Sequence, residues 1–147
     1  MSENNGKIPA RLQEIVEDFE FCEGREKLEL LLEYSERMPP LPDWLNQEHD
    51  TMDQVQECMT PVYVQAQTED GKMTFYFDVP AESPTVRGYA AIMAEGLQGV
   101  TPEEVLSVPA GFYLQTGLQN VLTQQRLNGI SAILAHMKRL ALKSMQS

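Results

Sequence analysis

The segment from Val62 to Val79 places the strongest constraint on how this chain folds, because its apolar residues recur at every second position. That spacing puts alternate side chains on one face and is typical of a half-buried strand. Asp70-Gly71 interrupts the pattern with a residue pair that two-residue hairpin turns favour. The sequence therefore predicts two antiparallel strands joined by a tight turn. The apolar positions are Val62, Val64 and Ala66 before the turn and Met73, Phe75, Phe77 and Val79 after it.

Two amphipathic helices are predicted before the hairpin. Apolar residues spaced for one helix face recur from Ile8 to Phe19 and again from Leu28 to Met38, which indicates two helices packed through these faces. Three prolines then end helical structure. We expect residues 39–54 to form an extended loop with two apolar anchors on the core, and a third strand to run from Met52 to Gln56. The prolines are Pro39, Pro40 and Pro42, and the anchors are Trp44 and Leu45.

Helix-start signals also follow the hairpin. Ser83-Pro84 combines an N-cap residue with proline at the first helical position, which predicts a helix through Met93. Further helices are expected from Thr101, where Glu104 stands at capping-box spacing, over residues 112–118, and after Thr123, where Leu127, Ile130, Leu134, Met137 and Ala141 share one face. This order predicts an α+β fold, in which N- and C-terminal helices cover a small antiparallel sheet of about three strands. We expect residues 1–147 to form a single domain whose first few residues are disordered.

The charge distribution excludes one class of function. The net charge is −11, and residues 1–60 hold 15 of the 22 carboxylates but 5 of the 11 basic residues. A nucleic-acid-binding protein needs clustered Lys and Arg to replace phosphate counterions, so this class is excluded. The acidic helices are either a solvated surface or a docking site for a basic partner. No apolar run approaches the roughly 20 residues of a membrane span, and the first residues lack signal-peptide features, so we expect a cytoplasmic protein that binds no membrane.

Reactive side chains are few. The two cysteines, Cys22 and Cys58, and the two histidines fit neither a disulfide framework nor a metal site, so no metal or cofactor is predicted. Cys22 ends a helical pattern and is interpreted as a half-buried apolar side chain. Cys58 precedes the first strand of the hairpin and is expected on a loop, where it has either a reactive or a structural role. Glu57 beside it would raise the thiol pKa, and Arg126 is either a compensating cation or a surface salt-bridge residue.

Six segments of the chain together point to one family. They are Met38-Pro39-Pro40-Leu41-Pro42, Glu57-Cys58-Met59-Thr60-Pro61-Val62, Asp70-Gly71 with Phe75 to Asp78, Val86-Arg87-Gly88, Gly99 to Leu106, and Arg126-Leu127-Asn128-Gly129-Ile130. In this order and spacing, from about Leu28 to Leu140, the sequence resembles the SufE family of sulfur-acceptor proteins. These proteins work beside cysteine desulfurases in iron–sulfur cluster assembly, and the resemblance implies a fold like those of SufE and IscU.

The resemblance also implies roles for particular residues and partners. Cys58 matches the cysteine that accepts sulfur as a persulfide, Arg126 matches an arginine found near it, and Glu82 stands where many members have an aspartate. The implied partner is a SufS-type cysteine desulfurase, with an iron–sulfur scaffold complex downstream. The chain would then be a sulfur-transfer partner that stimulates the desulfurase, and not a stand-alone enzyme. We expect Met59 and nearby apolar side chains to shelter Cys58 until the partner docks.

Two other functions stand as alternatives. An iron–sulfur scaffold would coordinate a cluster through several thiolates, which two cysteines 36 positions apart fit poorly. A non-catalytic adaptor would dock a partner through its acidic helices and would keep its activity when Cys58 is replaced by serine.

Overall fold

The computed structural model describes residues 8–55 and 60–146, so the predicted disorder of the first few residues lies outside the described part. Within those ranges the chain forms three antiparallel strands and seven α-helices, which confirms the α+β prediction. The helices are α1 (Ala10–Glu20), α2 (Arg25–Glu36), α3 (Asp43–Asn46), α4 (Pro84–Gly96), α5 (Pro102–Leu106), α6 (Tyr113–Thr116) and α7 (Gln124–Gln146). None of the helices in the described residues is long and apolar enough to cross a membrane.

The sheet is built on the predicted hairpin. Strands β2 (Tyr63–Glu69) and β3 (Lys72–Asp78) pair antiparallel along their whole length. Asp70 and Gly71 both have positive φ, at 53° and 76°, which is the backbone that lets a two-residue turn match the twist of its strands. A short strand β1 (Asp53–Gln54) pairs with β2, and the strand order is β1-β2-β3. The third strand is therefore confirmed, although it is shorter than predicted.

The segment before β1 is more regular than predicted. The sequence predicts an extended loop over residues 39–54, but they contain α3 and a 3-10 turn at His49–Thr51. Pro42 precedes the first residue of α3, a position where the fixed φ of proline is compatible with helix initiation. Leu45 is buried, as predicted. Trp44 does not anchor to the core, since it is 45% exposed and packs edge-on against Tyr76 on the outer face of the sheet.

The two N-terminal helices are confirmed. The buried residues of α1 are the predicted ones, Leu12, Ile15, Val16 and Phe19. The turn between α1 and α2 is held by Lys27, whose Nζ donates to the carbonyl oxygens of Phe19 at 2.9 Å and Cys22 at 2.6 Å. These carbonyls lie at the end of α1, where backbone acceptors lack partners within the helix.

Helix α4 lies at the centre of the molecule and packs against α1, α2, α7 and β3. Two glycines let its neighbours approach closely. A Cβ at Gly88 would overlap the carbonyl oxygen of Leu31 in α2, and a Cβ at Gly96 would lie 2.5 Å from Cδ1 of Leu12 in α1. The helix is buried on most of its circumference, and it ends three residues beyond the predicted Met93. Its buried residues are Val86, Gly88, Tyr89, Ala90, Ala91, Ile92, Met93 and Gly96.

The remaining helices follow the predicted signals closely. Thr101 and Glu104 form the predicted capping box of α5. The helix predicted over residues 112–118 is divided into α6 and a 3-10 turn at Leu118–Asn120, with Gly117 between them. Helix α7 begins directly after Thr123, and its five predicted core residues are buried.

The close contact between α2 and α4 generates a stability prediction. We expect Gly88→Ala to lower the free energy of unfolding by about 1–3 kcal/mol, because overpacking outweighs the helix preference of alanine over glycine, which is about 1 kcal/mol. Gly111→Ala is the matched control, since its added Cβ would meet only the side chain of Leu114, at 3.2 Å. Urea unfolding measures both variants. A Gly88→Ala protein as stable as the control would contradict the close approach of the two helices.

Candidate functional site

The candidate site is built where the described chain resumes after Cys58. Residues 56–59 lie outside the described part, so the predictions for Glu57, Cys58 and Met59 stay predictions. Both flanks are fixed: Val55 and Val62 are fully buried, and the amide of Val55 donates to the carbonyl of Val62 at 2.9 Å. The sheet therefore brings the two ends of this segment together.

Thr60 links the end of this segment to helix α4. Its Oγ1 lies 3.0 Å from Oγ of Ser83, and the two hydroxyls share a hydrogen bond. Ser83 occupies the N-cap position of α4, as predicted, but its side chain does not cap the helix. The hydroxyl contacts Thr60, 23 residues earlier in the chain, because tertiary structure brings a second hydroxyl within reach.

Arg126, which follows α4 in the chain, also contacts the start of this helix. It lies in the first turn of α7, where its amide donates to Oγ1 of Thr123 at 3.3 Å. Its guanidinium donates to Oγ1 of Thr85 at 2.8 Å. The side chain is exposed, and within residues 8–55 and 60–146 it forms no ion pair. The surface salt bridge, one of the two alternatives for Arg126, is therefore absent from the described residues.

Glu82 lies in the turn directly before Ser83 and is exposed. The structure thus brings Arg126 and Glu82 to the same end of α4. The start of α4 contacts Thr60 through Ser83 and Arg126 through Thr85. We name Thr60, Glu82, Ser83, Thr85 and Arg126 the α4-start cluster.

Arg87 supports this cluster from inside the fold. Its Nε donates to the carbonyl of Ser35 at 3.1 Å, and its Nη1 donates to the carbonyl of Val79. It therefore joins the end of α2 and the end of β3 to the start of α4. A charged donor bound to two backbone carbonyls is a strong structural contact.

Sequence reasoning missed Ser83 and Thr85 as partners of Thr60 and Arg126. Hydroxyl residues at a helix start are ordinary capping residues, so local sequence carries no signal for a contact 23 or 41 residues away. For Arg87, the sequence indicates only that it belongs to a family segment, and not that it binds two backbone carbonyls.

The α4-start cluster combines three hydroxyls and the guanidinium of Arg126 with the carboxylate of Glu82. A guanidinium and three hydroxyls favour an anion, such as a thiolate or a persulfide anion, over its neutral form. Within the described ranges, no group of three or more His, Cys, Asp or Glu side chains is placed to hold a metal ion.

Cys22 has a different environment. It is half-buried at the end of α1, and its Sγ lies 3.6 Å from the carbonyl oxygen of Asp18. Burial, followed by the negative charge of Glu26, raises the pKa of the Cys22 thiol. A raised thiol pKa disfavours the thiolate and hence nucleophilic reactivity. This agrees with the interpretation of Cys22 as a half-buried apolar side chain.

Fold and site together define a small helix-covered antiparallel sheet in which a cysteine segment joins two paired strands. The SufE family, described as an Fe-S metabolism associated domain, matches residues 13–141. This chain belongs to the SufE family, which confirms the resemblance seen in its sequence.

Three similar proteins illustrate the relationship. A SufE-like protein of Mycobacterium tuberculosis, named as uncharacterized, is 40% identical over 133 residues, which cover 90% of this chain and 92% of that protein. The cysteine desulfuration protein SufE of Plasmodium vivax is 30% identical over 113 residues, which cover 76% of this chain and 43% of that protein. The solution structure of a hypothetical protein from Thermus thermophilus superposes with a TM-score of 0.83 at 38% identity, covering 96% of this chain and 100% of that one.

The environment of Cys22 generates a prediction about its reactivity. In a Cys58→Ser background, we expect Glu26→Gln to make iodoacetamide alkylate Cys22 roughly twofold faster near pH 8 than in the Cys58→Ser protein alone. The loss of a negative charge lowers the thiol pKa. Glu29→Gln is the control, as Glu29 lies on the same helix and is not among the charges that shift this thiol. Intact-protein mass gives the rates. Equal rates in the two variants would show that Glu26 does not act on this thiol.

Proposed function

We propose that this protein is a sulfur acceptor and carrier that takes sulfur from a cysteine desulfurase onto Cys58. It stimulates the desulfurase and delivers the sulfur to iron–sulfur cluster assembly. The partners are a SufS-type cysteine desulfurase and, downstream, an iron–sulfur scaffold complex, and all of them work in the cytoplasm. The observation that most supports this proposal is the family match over residues 13–141, which includes Cys58. The Plasmodium vivax relative, named a cysteine desulfuration protein, agrees with it.

The transfer is a form of thiol–disulfide exchange. The Cys58 thiolate attacks the terminal sulfur of the persulfide on the desulfurase cysteine. A bond forms between Sγ of Cys58 and that sulfur, while the bond between the two sulfurs of the desulfurase persulfide breaks. The electron pair leaves with the desulfurase cysteine, which becomes a thiolate and takes up a proton. No external oxidant or reductant is consumed.

The α4-start cluster supports this chemistry through its one cation, Arg126. The reaction requires an anionic sulfur on the acceptor, and a nearby guanidinium favours that form by its charge. Arg126 is the candidate for this role, because its guanidinium is exposed and, among residues 8–55 and 60–146, is held by a single hydroxyl. Glu82, exposed at the same turn, is a second candidate supporting residue by its position in the family pattern, and its negative charge does not stabilise the anion.

The test is the intact mass of the protein after incubation with an active desulfurase and cysteine. We expect the wild type and Cys22→Ser to gain one sulfur atom that a reductant removes, and Cys58→Ser to gain none. Cys22→Ser is the matched control, because it removes the other cysteine of the chain. Desulfurase turnover, measured in the same mixtures, should rise with the first two proteins and not with Cys58→Ser.

The contrary outcomes are specific. Equal stimulation of the desulfurase by wild type and Cys58→Ser, without sulfur gain in either, would support a non-catalytic adaptor. A sulfur gain that persists in Cys58→Ser and is lost in Cys22→Ser would identify Cys22 as the acceptor and overturn the assignment to Cys58.

A further inference from the structure

The start of α4 contacts both Thr60 and Arg126. Ser83 shares a hydrogen bond with Thr60, which follows Cys58 by two residues, and Thr85 accepts from Arg126. Ser83 and Thr85 are separated by a single proline, Pro84, the first residue of the helix. The guanidinium of Arg126 and the end of the cysteine segment therefore meet at neighbouring positions on one buried helix.

Thr85 is the partner that determines where this guanidinium lies. Within the described residues, its hydroxyl is the one group that accepts from the side chain of Arg126. A long exposed side chain samples many rotamers unless a contact holds it. Because α4 is packed on most sides, a hydroxyl on its first turn is a fixed point for such a contact.

The other charged side chains in the described residues at the start of α4 are those of Arg87 and Glu82. Arg87 is bound to the carbonyls of Ser35 and Val79, so its guanidinium has a structural role. Glu82 is acidic, so its charge does not favour an anionic sulfur. Arg126 is thus the cation in this cluster whose position can be tuned by one hydrogen bond.

We propose that Thr85 is a positioning residue for sulfur transfer, which holds the guanidinium of Arg126 beside the contact between Ser83 and Thr60. This inference rests on the proposed function and deepens it. Without the Thr85 hydroxyl, Arg126 keeps its charge but spends less time at this position. The anionic form of the Cys58 sulfur is then less favoured.

The experiment measures how the alkylation of Cys58 depends on pH. A Cys22→Ser background leaves Cys58 as the reporting thiol, and iodoacetamide labelling is followed by intact mass. Thr85→Val keeps the shape of threonine but removes the hydrogen-bond acceptor. We expect it to slow labelling roughly twofold at neutral pH, and to move the midpoint of the pH profile upward, in the direction that Arg126→Gln moves it.

Two further variants separate positioning from a general structural effect. Thr85→Ser retains the hydroxyl and should restore the wild-type profile. Thr85→Val combined with Arg126→Gln should match Arg126→Gln alone, because Thr85 acts through Arg126. Thermal unfolding of each variant checks the fold, and Thr85→Ala replaces Thr85→Val if the latter unfolds at a lower temperature.

The proposal is overturned if Thr85→Val leaves the pH profile unchanged, if its effect adds to that of Arg126→Gln, or if Arg126→Gln itself has no effect. The failure of the proposed function gives a different result, namely wild-type protein that gains no sulfur from an active desulfurase. The labelling profile does not depend on the desulfurase, so the two failures are distinguishable.

Discussion

The close approach of α2 to α4 is the contact on which the other elements depend. At Gly88 the two helices are so near that any side chain would overlap the backbone of α2. Helix α4 can then pack against α1, α7 and β3 as well, so one helix organises the whole core. Glu95 adds ion pairs from this helix to Arg11 and Arg37. These pairs are partly exposed and contribute less than the apolar packing.

The start of the same helix forms part of the candidate site and is held in place by the core. Arg87 fixes the start of α4 to the ends of α2 and β3. Two and four residues before Arg87, Thr85 and Ser83 present hydroxyls to Arg126 and Thr60. A rigid helix start thereby gives defined positions to groups on a loop and on another helix. Reactive groups on loops commonly depend on such a scaffold.

Much of the fold could be predicted because the signals are local. The alternation around Asp70-Gly71 determines the hairpin, and the capping box at Thr101 determines the start of α5. Prediction was weaker for residues 39–54, where a proline-rich segment forms short helical turns. Turns of this length bury few side chains, so they leave little periodicity in the sequence. The exposure of Trp44 was not predicted either, because its partner Tyr76 lies on a strand that is distant in the sequence.

At the candidate site, the residue types and the family follow from the sequence, whereas the contacts depend on the tertiary structure. The order of motifs around Cys58 and Arg126 was sufficient for the family, because spacing along the chain is a one-dimensional property. The pairing of Thr60 with Ser83 and of Arg126 with Thr85 could not be predicted in this way. Each hydrogen bond depends on the distance in space between residues that are far apart in the chain. Those distances follow from the packing of α4, which local patterns do not encode.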